Sequence, residues 1–218
     1  EGNTNLEIVW TVIPLLLVIA IAIYSTNINS TLKNLGSKSK YDPQKDLIQN
    51  SELGQNISDA PIDVIARQWN WEFVYPEGFS SSELHLPINN KINFRLISKD
   101  VLHGFYIPAF RLKQDIIPGS IIEYSLTPTR AGVYRLRDSM FSGTYFSENQ
   151  TNVIVESKDS YQNWINKTVK KVPVNGLNQA GILYKKRLEK GDRGWATVPP
   201  KSSPMVNDPG DYQKPHEG

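Results

Sequence analysis

Cysteine is absent from the chain. That excludes a disulfide framework, a thiolate zinc site, an iron–sulfur cluster and a cysteine nucleophile. Histidine is scarce, with His85, His103 and His216 as its three instances. No pair of them has metal-ligand spacing. Charge of one sign is also lacking: 24 basic against 22 acidic residues leave a formal +2. A nucleic-acid binder needs a basic stripe, so nucleic acid is not an expected partner. No Gly-x-Ser-x-Gly elbow and no phosphate-binding loop occur.

The 218 residues are unevenly organised. Ile8 to Ser25 is an uncharged apolar run of 18 residues, near the ~20 that cross a hydrocarbon core. Pro14 interrupts it, as transmembrane helices tolerate. Trp10 and Tyr24 stand near its ends like interfacial aromatics. A secretory signal would need a basic flank and a small-residue cleavage site, and neither is visible. Lys33, Lys38 and Lys40 follow the run, while Glu1 and Glu7 precede or open it. Taken alone, the positive-inside rule would leave the larger domain in the cytoplasm. An earlier helix, missing from a chain that opens on Glu, would reverse that.

The expected order is a transmembrane helix over 1–26, a polar linker over 27–60, a β-domain over 61–157, and a short helix with an extended tail over 158–218. In the β-domain, Leu84, Leu86 and Ile88, then Ile92, Phe94 and Leu96, alternate as half-buried strands do. Turn signals such as Pro76-Glu77-Gly78, Asn89-Asn90 and Pro118-Gly119 separate the runs. Short strands at this spacing predict an all-β sandwich or barrel. Tyr161, Trp164, Ile165 and Val169 have helical spacing. His85 alternates with Leu84 and Leu86, which predicts a solvated side chain. His103 sits in an apolar surround, as a satisfied core histidine does.

Several segments carry a family resemblance. Asp100–Gly119, reading DVLHGFYIPAFRLKQDIIPG, closely resembles a stretch of subunit II of the haem–copper terminal oxidases. Leu6-Glu7-Ile8-Val9-Trp10-Thr11 with Pro14 resembles the start of that family's second transmembrane helix. Gln68-Trp69-Asn70-Trp71, Leu84-His85-Leu86-Pro87 and Thr127-Pro128-Thr129-Arg130-Ala131-Gly132 follow in the family's order. The resemblance implies a cupredoxin-like β-sandwich on the periplasmic, outer or lumenal side of a membrane. It implies a partner catalytic subunit I that holds haems and copper, and a subunit III. Gly194–Pro200, reading GWATVPP, resembles the tail of cyanobacterial relatives.

In cytochrome c oxidases of this family the subunit binds a dinuclear copper centre. Its ligands are an upstream histidine and a loop of the form Cys-x-Glu-x-Cys-x-x-x-His-x-x-Met. Two soft thiolates bridge the copper pair. His103 matches the upstream histidine. The loop positions then hold Asp138, Met140, Ser142, Phe146 and Asn149, with Gly143 matching the glycine after the second cysteine. Every loop ligand is replaced, so no metal or cofactor is expected on this chain. The apolar rings of Phe141, Tyr145 and Phe146 are expected to fill the vacated volume. Glu7 matches a carboxylate at the entrance of a proton path; an interfacial charge marking a helix end is the competing reading. Trp69 matches the aromatic that passes electrons from cytochrome c to copper. With no copper to receive them, packing or partner contact competes.

The resemblance thus implies a non-catalytic subunit of an oxidase complex reducing O2 to water, with quinol as donor rather than cytochrome c. Two alternatives stay open: a cytochrome c oxidase subunit with another entry route, and a membrane-anchored assembly or binding module.

Overall fold

The computed structural model describes residues 2–32, 38–40, 60–191 and 198–210. Most of the linker segment, Gly194–Thr197 of the tail motif, and His216 lie outside the described residues. The chain divides into two units, Glu1–Gly36 and Ser37–Gly218.

The first unit is one helix, α1 (Thr4–Leu32), with Pro14 inside it. Thr4–Thr26 is long and apolar enough to cross a membrane, and none of it is buried in the protein. An all-round apolar helix without a protein core to enter needs lipid or a partner helix as its solvent. Thr11 returns its hydroxyl to the Glu7 carbonyl at 2.9 Å, which keeps that polar group satisfied.

The second unit is a sandwich of two sheets. Its strands in chain order are β1 (Lys38–Lys40), β2 (Ile62–Arg67), β3 (Asn70–Val74), β4 (Ser80–Ser81), β5 (Leu84–Pro87), β6 (Ile92–Ser98), β7 (His103–Ile107), β8 (Leu112–Ile116), β9 (Ser120–Leu126), β10 (Gly132–Asp138), β11 (Gln150–Glu156), β12 (Val174–Asn175) and β13 (Met205–Val206). Two helices follow the sandwich strands, α2 (Lys158–Thr168) and α3 (Gln179–Glu189). One sheet has the order β1-β9-β6-β2-β3-β4 and the other β5-β11-β10-β7-β8. β2 runs parallel to β6, and β5 parallel to β11, so the chain crosses between sheets rather than meandering. β12 and β13 pair separately.

Period-two burial explains the strands. In β2, Ile62, Val64 and Ala66 point inward; in β11, Thr151, Val153 and Val155 do. The two inner faces meet in one core that includes Phe73, Phe94, Leu96, Phe105, Ile107, Leu136 and Val153. Each such side chain contributes about 1.5–3 kcal/mol on burial. Replacing Phe105 with Ala would cost about 3–5 kcal/mol, since the cavity cannot fully close.

The run from Ile62 breaks at Gln68 and Trp69 into the hairpin of β2 and β3. Two expectations are corrected. The tail is not simply extended. Asn178 caps α3 by accepting from Gly181 N at 2.8 Å, and Lys186 and Arg187 sit in its last turn. His85 is not solvated. It stacks on Trp164 of α2 with centroids 3.9 Å apart, and its Nδ1 lies 2.9 Å from Glu156 Oε1. The alternation of β5 is correct, but α2 covers its outer face.

Candidate functional site

Four loop and strand ends converge on His103. β7 begins at His103 and β10 ends at Asp138, and these strands pair through Arg137–Tyr106 and Asp138–Phe105. That pairing brings Asp138 beside a residue 35 positions away. His103 Nδ1 lies 2.6 Å from Asp138 Oδ2. On the opposite side of the ring, Nε2 lies 2.8 Å from Asp100 Oδ1. The His103 side chain is fully buried.

Further donors saturate both carboxylates. Ser142 Oγ donates to Asp138 Oδ2 at 2.9 Å, and Asn149 Nδ2 donates to the same oxygen at 3.0 Å. The Gly104 and Met140 amides donate to Asp138 Oδ1 at 2.7 and 3.1 Å. The Gln68 amide donates to Asp100 Oδ2, and the Val101 amide to Asp100 Oδ1, both at 2.8 Å. Buried carboxylates need such satisfaction, since an unpaired one costs several kcal/mol.

The electrostatics follow from the facing atoms. Both ring nitrogens of His103 meet carboxylate oxygens, so the arrangement suits the imidazolium, which donates from both. Burial pushes the His103 pKa down, but the hydrogen bonds to Asp100 and Asp138 and their charges outweigh it, and the pKa is raised. Burial pushes Asp138 up, yet the His103, Gly104 and Met140 contacts hold it below its ordinary value. Asp100 is likewise lowered, against burial, by His103 and the Gln68 and Val101 amides.

Beside this network lies an aromatic cluster. Trp69 is 1% exposed and packs edge-on to Tyr145, with centroids 5.2 Å apart. Its Nε1 donates to the Ser142 carbonyl at 3.2 Å. Gly143 makes this approach possible. Its φ is +120°, and a Cβ there would meet Trp69 Cζ2 at 2.7 Å. Helix α3 lays Ala180, Leu183 and Tyr184 on the Trp69–Tyr145 pair. Arg187 stacks its guanidinium over Tyr145 at 5.2 Å. The indole of Trp69 is therefore an interior group, covered by the chain's own C-terminal helix.

The expected aromatic filling is corrected here. Phe141 is 80% exposed and meets Phe146 at its edge, 5.4 Å between centroids. Polar side chains occupy the centre instead: Asp138, Ser142 and Asn149 are all buried around His103. Of the six positions singled out, those three and His103 come together. The Met140 side chain and Phe146 stay at the margin, half-buried, and only the Met140 amide joins the network. Asp100 was not among the expected residues. Its proximity in sequence to His103 was visible, but its place on Nε2 depends on the turn after β6.

Residues 79–158 match the family described as cytochrome C oxidase subunit II, periplasmic domain. Residues 1–28 match cytochrome C oxidase subunit II, transmembrane domain. The chain belongs to the cytochrome c oxidase subunit II family. Cytochrome c oxidase subunit 2 of Thermostichus vulcanus is 32% identical over 198 residues, 75% of this chain and 60% of that protein. Quinol oxidase subunit 2 of Bacillus subtilis is 27% identical over 177 residues, 79% of this chain and 50% of that protein. The chain thus spans a little over half the length of these relatives. The solved periplasmic domain of subunit II of cytochrome oxidase from Bradyrhizobium japonicum is 24% identical, covering 50% of this chain and 92% of that one, with a TM-score of 0.48.

As a subunit II, this chain has a membrane anchor and carries its β-domain on the outer side. The family's dinuclear copper does not fit the residues present. Asp138 and Ser142 offer hard oxygens where two soft thiolates are needed, and both nitrogens of His103 are engaged by carboxylates. Among the described residues, no group of three or more His, Asp or Glu is disposed to hold a metal ion. Glu7 of this subunit II lies in the first turn of α1.

Proposed function

We propose that this chain is subunit II of a haem–copper terminal oxidase that reduces O2 to water, and that electrons bypass its β-domain. The donor is a quinol, which delivers electrons to the catalytic subunit within the membrane. The partners are the catalytic subunit I, holding haems and copper, and subunit III. The observation that carries this reading is the ion pair at the old ligand positions. Asp138 is bound to His103 at 2.6 Å, where a bridging thiolate would face a copper-ligating imidazole. The matched relatives include proteins named quinol oxidase subunit 2, which supports the same donor class.

In this reading the β-domain is structural. It presents a folded outer surface to the complex, and α1 anchors it. Glu7 captures protons at the membrane edge, where a carboxylate can titrate. Trp69 serves packing rather than electron transfer, because its indole is sealed beneath α3.

A second reading is favoured by the 32% identity to a protein named cytochrome c oxidase subunit 2. There the donor would be cytochrome c, entering by another route. Oxygen uptake by the purified complex separates the two. Turnover with a reduced quinol and none with reduced cytochrome c is expected; the reverse would reject the quinol reading. Failure to recover a haem-bearing large subunit with the chain in mild detergent would reject both.

A further inference from the structure

We propose that a small cavity behind Asn149, bordered by the C-terminal segment, holds one water molecule, and that this water pins the Asn149 amide toward Asp138. The cavity measures about 20 Å³. A single water needs roughly 10–15 Å³ on this measure, so one fits. Asn70, Ser82 and Asn149 line it, together with Leu177, Gln179 and Pro209 of the C-terminal segment.

The polar atoms there determine the ligand. Asn70 Nδ2, Asn70 Oδ1, Ser82 Oγ and Asn149 Oδ1 are buried without a hydrogen-bond partner among the described residues. Their residues are 4%, 6% and 1% exposed in turn. Leaving such a group unsatisfied costs about 1–3 kcal/mol, so four at one cavity demand an occupant. One amide donor, two carbonyl acceptors and a hydroxyl match the two donors and two acceptors of water. A cation could not accept from Asn70 Nδ2. An apolar molecule would satisfy none of them.

The orientation of Asn149 ties this site to the network. Its Nδ2 donates to Asp138 Oδ2 at 3.0 Å, so its Oδ1 faces away from Asp138. A water donating to Oδ1 holds the amide plane from its other end. Without it the amide is free to rotate away from Asp138. Asn70, Ser82 and the water are thus positioning groups for the His103–Asp138 pair.

The test uses the full chain, isotope-labelled, in detergent micelles. Magnetisation transfer is measured between water and the side-chain amide protons of Asn70 and Asn149. Cross-peaks with the sign of a long-lived water are expected at both, and they should persist in Ser82→Ala, which removes the only hydroxyl relay among the four atoms. Asn70→Leu fills the cavity. It should abolish the Asn149 cross-peak and speed Asn149 side-chain exchange at least about tenfold. Absence of both cross-peaks in the unmodified chain overturns the proposal. So does their loss in Ser82→Ala, or unchanged Asn149 exchange in Asn70→Leu. If Asn70→Leu does not fold, the unmodified chain and Ser82→Ala still decide.

Discussion

His103 and Asp138, 35 residues apart in sequence, share a 2.6 Å contact in which neither side chain is exposed. Removing Asp138 leaves His103 with Asp100 as its one facing carboxylate, and leaves the buried Nδ1 without this partner. Asp138→Ala also orphans the Gly104 and Met140 amides, the Ser142 hydroxyl and the Asn149 amide group. It is expected to cost about 3–5 kcal/mol. Urea unfolding of the chain in detergent, followed by tryptophan fluorescence, measures this. A loss below about 1 kcal/mol would show that the network is not a structural centre.

The same cluster sets a pH window. The raised His103 contributes stability that is complete below its ordinary value of 6.5 and is lost as the pH rises through the higher folded value. The lowered Asp100 and Asp138 contribute stability that is complete above their ordinary 3.8 and is lost as the pH falls through the lower folded values. The melting temperature should therefore hold a plateau between about 4 and 6.5 and fall on either side. His103→Gln should flatten the alkaline limb, which a pH series of thermal melts would show.

Gly143→Ala tests the close approach of the loop to Trp69. The positive φ alone costs about 1–3 kcal/mol for a residue with a Cβ. The contact with Trp69 adds to it. Destabilisation with altered near-ultraviolet dichroism is expected, since the Trp69–Tyr145 pair would separate.

Ala180→Arg tests the seat of α3. Ala180 is fully buried against Trp69 and Tyr145, where a long charged side chain cannot be accommodated. The Trp69 indole N–H should exchange with solvent at least about tenfold faster, while the amides of β2 and β11 keep their protection.

Glu7→Gln tests the proposed proton entrance. In the intact complex the substitution should lower turnover several-fold while leaving haem content unchanged. Unchanged turnover would leave Glu7 as an interfacial charge.

The membrane helix was legible from its uncharged apolar length, and β5 and β6 from the alternation of Leu84 and Leu86 and of Ile92, Phe94 and Leu96. β7 and β8 were not. Neither His103–Ile107 nor Leu112–Ile116 alternates apolar with polar residues, and Lys113, Gln114 and Asp115 put three polar residues in a row inside β8. The positions of Asp138, Ser142 and Asn149 followed from their spacing to His103 in a known family. Their chemistry in the folded chain did not. A side-chain list suggests aromatic repacking, whereas strand pairing between β7 and β10 puts a carboxylate on the imidazole first. Helix α3 was hidden by its neighbours, since Gly181 and the surrounding prolines read as tail.

The lodging of Trp69 beneath α3 bears on any attempt to build a copper site into this domain. Transplanting a cysteine-bearing loop onto 138–149 would supply thiolates but leave the indole roofed by Ala180, Leu183 and Tyr184. A copper pair built there would still lie beside an indole that is 1% exposed. The chemistry of the 138–149 loop and the exposure of Trp69 are thus set by separate segments of the chain.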